Sequence, residues 1–424
     1  MAQLSDDCFA HGGTLMSVDA ALALLADRVA TVAEPEIVPL AEALDRVLAG
    51  DLVAARNVPP HDNSAVDGYA VYFDDLDIEK ETRLPVIGRA AAGHPFTRVQ
   101  ARGTALRIFT GAAMPNGPTG GAGPDTVMME EDCRIEGDVV ALRPGIKGGA
   151  NRRRAGEDIA AGSIVLHGGQ RLRPQDIGAA ASLGLTRLDV RRPLAVALFS
   201  TGDELREPGA EAPPGAVYDA NRFTLMALLK RLGCRVGDFG ILDDDREVIA
   251  SALDAAASEY DAIITSGGVS RGEEDHIGAV LKRLGSIYFW RLAIKPGRPI
   301  ALGQIRGKVF VGLPGNPVAM MVTFLRFARP VLLRLLGARE IDPVLYRVRA
   351  DFEHRKKLGR REWVRARLIA DGSGTLTARK FPRDGAGILT SMVESDGLVE
   401  LPESLTHLNA GSMVDFLPFS EVSR

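Results

Sequence analysis

At 424 residues, 46% hydrophobic and 25% charged, the chain has the make-up of a soluble globular protein of roughly three domains. A formal net charge of −4 gives no reason to expect nucleic acid or an anionic membrane surface as a partner. Three widely spaced cysteines, Cys8, Cys133 and Cys234, argue against a disulfide framework or a cysteine zinc site. No basic-then-apolar leader opens the sequence and no apolar stretch is long enough to span a bilayer, so a cytoplasmic protein is expected.

In chain order, Ser17 reads as an N-cap, with Leu22, Leu25 and Val29 on one helix face. A second helix is expected over residues 40–48. Residues 59–70 form a polar turn running into a strand. Short β runs between Gly and Pro turns follow to about residue 150, with a glycine-rich loop at 117–123. Residues 151–158 mark a boundary, and residues 173–183 read as a helix. From 194 to 336 the pattern alternates. Strand-like runs at 194–199, 262–265, 287–294 and 309–313 interleave with helices at 221–232, 247–259 and after 317. Such alternation predicts a parallel sheet covered on both faces, whose carboxyl-end loops bind ligands. The charged run 353–361 reads as a solvated hairpin or linker with His354 exposed. Short strands after it suggest a small β domain.

The expected fold is therefore multidomain, α/β plus β. A central parallel α/β domain spans 191–338 and a small barrel-like β domain spans 339–424. A β-rich insertion at 51–150 interrupts an N-terminal region made of 1–50 and 151–190.

There is no phosphate-binding Gly-x-x-x-x-Gly-Lys loop, no Gly-x-Gly-x-x-Gly and no His-Glu-x-x-His, which disfavours a P-loop ATPase, a dinucleotide oxidoreductase and a zinc protease. Residues 268–272 fit Gly-x-Ser-x-Gly, so a serine hydrolase using Ser270 is a minor reading, with His276, His354 or His407 as its base. Acid clusters end three runs: Asp203 and Glu204, Asp243 to Asp245, and Glu273 to Asp275. One such cluster reads as a helix cap, but three at one sheet edge would repel unless a cation sits between them. Lys295 and Arg298 flank a rigid Pro-Gly turn, and Asn316-Pro317 opens a helix. Together they suit an oxyanion. Taken alone, Asn63 to Gly68 reads as a turn and Arg152 to Asp158 as a self-paired hinge.

These segments occur in a particular order: Asp62 to Ala70, Thr110-Gly111, Arg153 to Asp158, Ser200 to Leu205, Thr265 to Ser270, Lys295 to Pro299 and Leu313 to Val318. In that order the chain resembles the MoeA family of molybdopterin molybdenumtransferases, related to the gephyrin E domain, from about residue 15 to 420. The resemblance implies insertion of molybdate into adenylylated molybdopterin with release of AMP, assisted by Mg²⁺. It implies a homodimer whose cleft lies between one subunit's sheet domain and the other's N-terminal domains. The pterin adenylyltransferase and acceptor molybdoenzymes are implied as partners. Asp67, Thr110, Asp158, Glu204, Asp275 and Lys295 are then expected in catalysis. Arg153, Ser266, Gly267, Gly268, Ser270, Arg291, Arg298, Pro314, Asn316 and Arg365 are expected to bind substrate, and Glu204, Asp244 and Asp275 to hold the metal. Two positions depart from the family pattern: Arg291 stands where a Lys is usual, and Ala386 where a Ser is common. Those departures leave a paralogue that prefers tungstate or is weakened in activity as one alternative, and the relation to the gephyrin E domain leaves a non-catalytic pterin-binding scaffold as another.

Overall fold

The structure, a computed structural model, describes residues 15–118, 121–268, 276–297, 299–370 and 374–422. Two compact units emerge. One comprises Met1–Ala49, Gly168–Leu172 and Leu188–Arg424, and the other Gly50–His167 and Arg173–Arg187.

The first unit holds a six-stranded sheet in the order Arg235–Leu242, Ala195–Thr201, Ala262–Ser266, Lys308–Leu313, Pro299–Ile305, Gly285–Arg291. The first four strands are parallel. Every residue of Ala195–Thr201 and Ala262–Ser266 is buried, as near-continuous apolar runs demand when both sheet faces are covered. Leu225 and Leu229 of helix Ala220–Arg231 pack on one face, joined by Phe324 and Leu332. Ile249 and Leu253 of helix Arg246–Glu259 pack on the other with Leu281.

The sheet is mixed, not parallel throughout. Gly285–Arg291 and Pro299–Ile305 run antiparallel to their neighbours. The run expected at 287–294 ends early because Ile294–Lys295 leaves this sheet and pairs with Arg361–Ala370, placing Lys295 opposite Glu362. An apolar run encodes burial but not direction, so the sequence pattern could not distinguish the two arrangements.

Arg361–Ala370, Leu376–Lys380, Tyr346–Ala350, Met413–Pro418 and Gly397–Leu401 close into a five-stranded barrel, the last strand pairing back to the first. Val348, Val364, Ala366, Val399 and Phe416 fill it. Two further expectations fail in this unit. Residues 40–48 are not a helix: only Leu40–Glu42 makes a 3-10 turn, and Val47 and Leu48 form bridges to Arg171 and Val190. Tertiary pairing there overrides weak helix propensity. His354 is not exposed; His354–Arg355 pairs with His407–Leu408, leaving His354 8% accessible.

The second unit carries its own six-stranded sheet, in the order Thr126–Met129, Gly68–Val71, Ala105–Ile108, Thr82–Ala90, Val139–Leu142, Cys133–Glu136. Gly68 is obligatory: a Cβ there would lie 1.8 Å from the Met128 carbonyl oxygen on the adjoining strand. Gly68→Ala is therefore expected to lower stability by about 3 kcal/mol, measured by urea unfolding, since the backbone must shift to admit it. Among the described residues no helix is long and apolar enough to cross a membrane.

Candidate functional site

The carboxyl ends of Ala195–Thr201 and Ala262–Ser266 open into a cavity of about 660 Å³, whose lining includes Thr201, Glu204, Asp219, Asn221, Ser266 and Asn316. The Asn221 amide donates to Ser266 Oγ at 2.8 Å and to the Gly315 carbonyl at 2.7 Å, tying two strand-end loops together. Gly267, at φ +89°, passes so close to Thr201 that a Cβ would meet its carbonyl at 2.5 Å. Only glycine allows that approach. Asp219 caps helix Ala220–Arg231 and accepts from buried Arg222, which also pairs with Asp238 and Glu207. Buried Arg222 is thus matched with three carboxylates, which holds Asp219 in the cavity lining.

Asn316 lines a second cavity as well, of about 350 Å³, with Lys295, Arg360, Glu362, Arg365 and Ala386 among its walls. Asn316 starts the helix at Pro317, yet its side chain makes no capping bond, so its amide is not committed to the helix. Glu362 is 1% exposed. Its Oε2 accepts from His354 Nε2 at 3.0 Å and lies 3.6 Å from Lys295 Nζ, while Oε1 accepts from Arg360 Nε at 2.6 Å. An ionised carboxylate only accepts, so His354 carries its proton on Nε2. Burial alone would raise the Glu362 pKa; the bonds from His354 and Arg360 and the charge of Lys295 outweigh it and hold it below the ordinary value.

A folded pKa below the unfolded one contributes stability at higher pH, which is lost as pH falls through the folded value. The thermal midpoint is therefore expected to drop below about pH 4.5, and less steeply in Glu362→Gln, as calorimetry across pH would show.

Arg365 is buried and donates to Ser391 Oγ at 3.1 Å and to the Arg383 and Gly385 carbonyls at 3.1 and 3.3 Å. Burial lowers its pKa, opposed by Asp384, but a guanidinium stays charged in a protein. Asp384 is itself paired with Lys380 at 3.1 Å. The cavity wall thus carries three cations, Lys295, Arg360 and Arg365, beside two carboxylates, Glu362 and Asp384, each already paired with a base, and Lys295 is 47% exposed.

In the second unit, strand Arg152–Arg153 pairs antiparallel with Asn63–Ser64, and Asp62 accepts from the Ala155 N–H at 2.8 Å. This brings the two polar segments seen in the sequence together. Asp67 Oδ1 accepts from the Thr110 N–H at 2.7 Å and the Thr110 hydroxyl at 2.8 Å. Those two bonds lower the Asp67 pKa. Asp67, Thr110, Arg153 and Asp158 are all exposed.

Ser270, Asp275 and Arg298 lie outside the described residues, as do Glu273 and Glu274. Arg291 ends the strand opposite Pro299. Gly268 is exposed at φ +65°, and Pro314 lines the smaller cavity. Asp245 is a helix cap, accepting from the Glu247 and Val248 N–H groups, and Asp244 lines neither cavity. Among the described residues no three His, Cys, Asp or Glu side chains gather to hold a metal. Sequence reasoning missed Glu362, Arg360, Asp219 and Asn221. Glu362 stood out in principle, as an acid inside a strand whose next four residues are all buried.

Three family models match the chain in succession. The MoeA N-terminal region (domain I and II) covers residues 16–184, a probable molybdopterin binding domain 197–334, and the MoeA C-terminal region (domain IV) 347–419. The three matches together define a MoeA-type protein. The chain is 36% identical to a molybdopterin molybdenumtransferase of Haemophilus influenzae, covering 96% of this chain and 100% of the relative. It is also 36% identical to molybdopterin molybdenumtransferase 2 of Mycobacterium tuberculosis, covering 90% and 94%. The crystal structure of a molybdopterin biosynthesis MoeA protein from Pyrococcus horikoshii superposes with a TM-score of 0.82 at 29% identity, covering 96% of this chain and 100% of that one. The chain belongs to the MoeA family of molybdopterin molybdenumtransferases.

Proposed function

We propose that this protein inserts molybdate into adenylylated molybdopterin and releases AMP, acting in the cytoplasm on the product of an adenylyltransferase. The observation that carries the reading is the pair of cavities that share Asn316 in their linings. One is small and carries three cations, suited to an oxyanion; the other is larger and lined by strand-end loops, suited to a pterin and its nucleotide. Lys295 and Arg365 receive the oxyanion through charge-assisted hydrogen bonds. Asn316, facing both spaces, orients oxyanion and pterin toward each other. No protein nucleophile is required, because the dithiolene sulfurs of the substrate take the metal.

Mg²⁺ is part of the proposal. A hard cation of this kind takes one or two carboxylates plus phosphate oxygens, and exposed Glu204 in the larger cavity suits that donor set. Bound there, it would neutralise phosphate charge. The homodimer implied by the family is also proposed, with the Asp67 segment of a second copy serving the reaction.

Incubation of the purified protein with adenylylated molybdopterin and Mg²⁺ tests the reading. AMP release that depends on molybdate is expected. Tight pterin binding without any release would instead favour the scaffold alternative. Ala386 puts a methyl group in the oxyanion cavity wall, so molybdate and tungstate are compared in parallel; faster release with tungstate would mark a tungstate-preferring enzyme.

A further inference from the structure

We propose that Glu362 is a positioning residue that holds the Lys295 ammonium in the lining of the smaller cavity. The inference rests on the functional reading above and names a residue that reading does not use. Backbone pairing puts Lys295 directly opposite Glu362 in the parallel register of Ile294–Lys295 with Arg361–Ala370. Both carboxylate oxygens are committed: Oε1 to Arg360, Oε2 to His354 at 3.0 Å, with Lys295 Nζ 3.6 Å away. His354 and Arg360 are themselves largely buried, so they fix the carboxylate, and the carboxylate in turn restrains the one half-exposed cation of the group. A lysine side chain has four rotatable bonds and is a point charge, so without such a tether its ammonium samples many positions. Stability alone does not account for the arrangement. Apolar residues of similar volume commonly serve a core as well as a buried ion cluster does.

The test is a double-mutant cycle on Lys295 and Glu362, read as single-turnover AMP release, with crystal structures of the variants. Glu362→Gln is expected to lower kcat roughly 10–100-fold, the range seen when outer partners of metal ligands are removed. The KM for molybdate should not rise, because the cavity loses a negative charge. In a Lys295→Ala background Glu362→Gln should slow the reaction no further, since Glu362 acts through Lys295. In the crystal, Lys295 Nζ should leave its place beside residue 362. An unchanged kcat, losses that multiply independently, or a Lys295 that stays in position would each overturn the proposal. If Glu362→Gln does not fold, Glu362→Asp, which keeps the charge but retracts it by one methylene, enters the same cycle with the same two outcomes. If the wild-type protein releases no AMP, the functional reading falls, while the position of Lys295 in the variant crystal still decides this inference.

Discussion

Lys295→Ala is expected to lower molybdate-dependent AMP release by roughly 10²–10³-fold, the cost of deleting one preorganised donor from a charge-stabilising site. Stability should change by only about 0.5 kcal/mol, as for other half-exposed side chains. Glu362 keeps its bonds from His354 and Arg360 when the lysine is gone, so no buried charge is stranded. Chemical denaturation checks the second statement and single-turnover kinetics the first. Lys295→Arg should recover only part of the activity, because a planar fork does not reproduce a compact ammonium. A Lys295→Ala protein with normal turnover would mean that the smaller cavity is not where the oxyanion reacts.

Asp67→Ala is expected to fold with a wild-type melting curve and to lose turnover by roughly 10²-fold, the scale of a misplaced contact to a reacting substrate. Its carboxylate is exposed, and its hydrogen-bond partners within the chain are the two Thr110 donors, among the described residues. Thr110→Val, which removes one of those donors, should raise the Asp67 pKa toward its ordinary value, as an NMR titration would show. If Asp67 serves the reaction of a second copy, mixing Asp67→Ala with Lys295→Ala restores activity, because a two-fold dimer of the two variants contains one intact pairing. Two inactive variants that stay inactive after subunit exchange would rule out service to a second copy, an Asp67→Ala protein with normal turnover would place Asp67 outside the reaction, and an unfolded Asp67→Ala would assign it a structural role.

Part of the framework around this site was legible in the sequence. The run at 262–265 became the buried strand Ala262–Ser266, and Asn316-Pro317 opened a helix as its residue types predict. The ordered motifs found the family because a set of seven, spread from Asp62 to Val318 in one order, is far more specific than any one of them. What stayed hidden depends on pairing at long range. His354 sits in a charged run and reads as solvated; its burial follows from a strand pairing with His407–Leu408 that no local pattern announces. Lys295 was visible as a cation, but its carboxylate partner lies 67 positions further on in the barrel. Asp245 looked like part of a cation site and proved to be a helix cap, the commoner use of an acid at that position.

The most direct measurement is anomalous diffraction from crystals soaked in molybdate or tungstate, whose metal atom can be located without ambiguity. The oxyanion is predicted in the cavity shared by Lys295, Asn316 and Arg365, with an oxygen within hydrogen-bonding distance of Lys295 Nζ. A single well-occupied metal peak elsewhere on the molecule, with that cavity empty, would contradict the account.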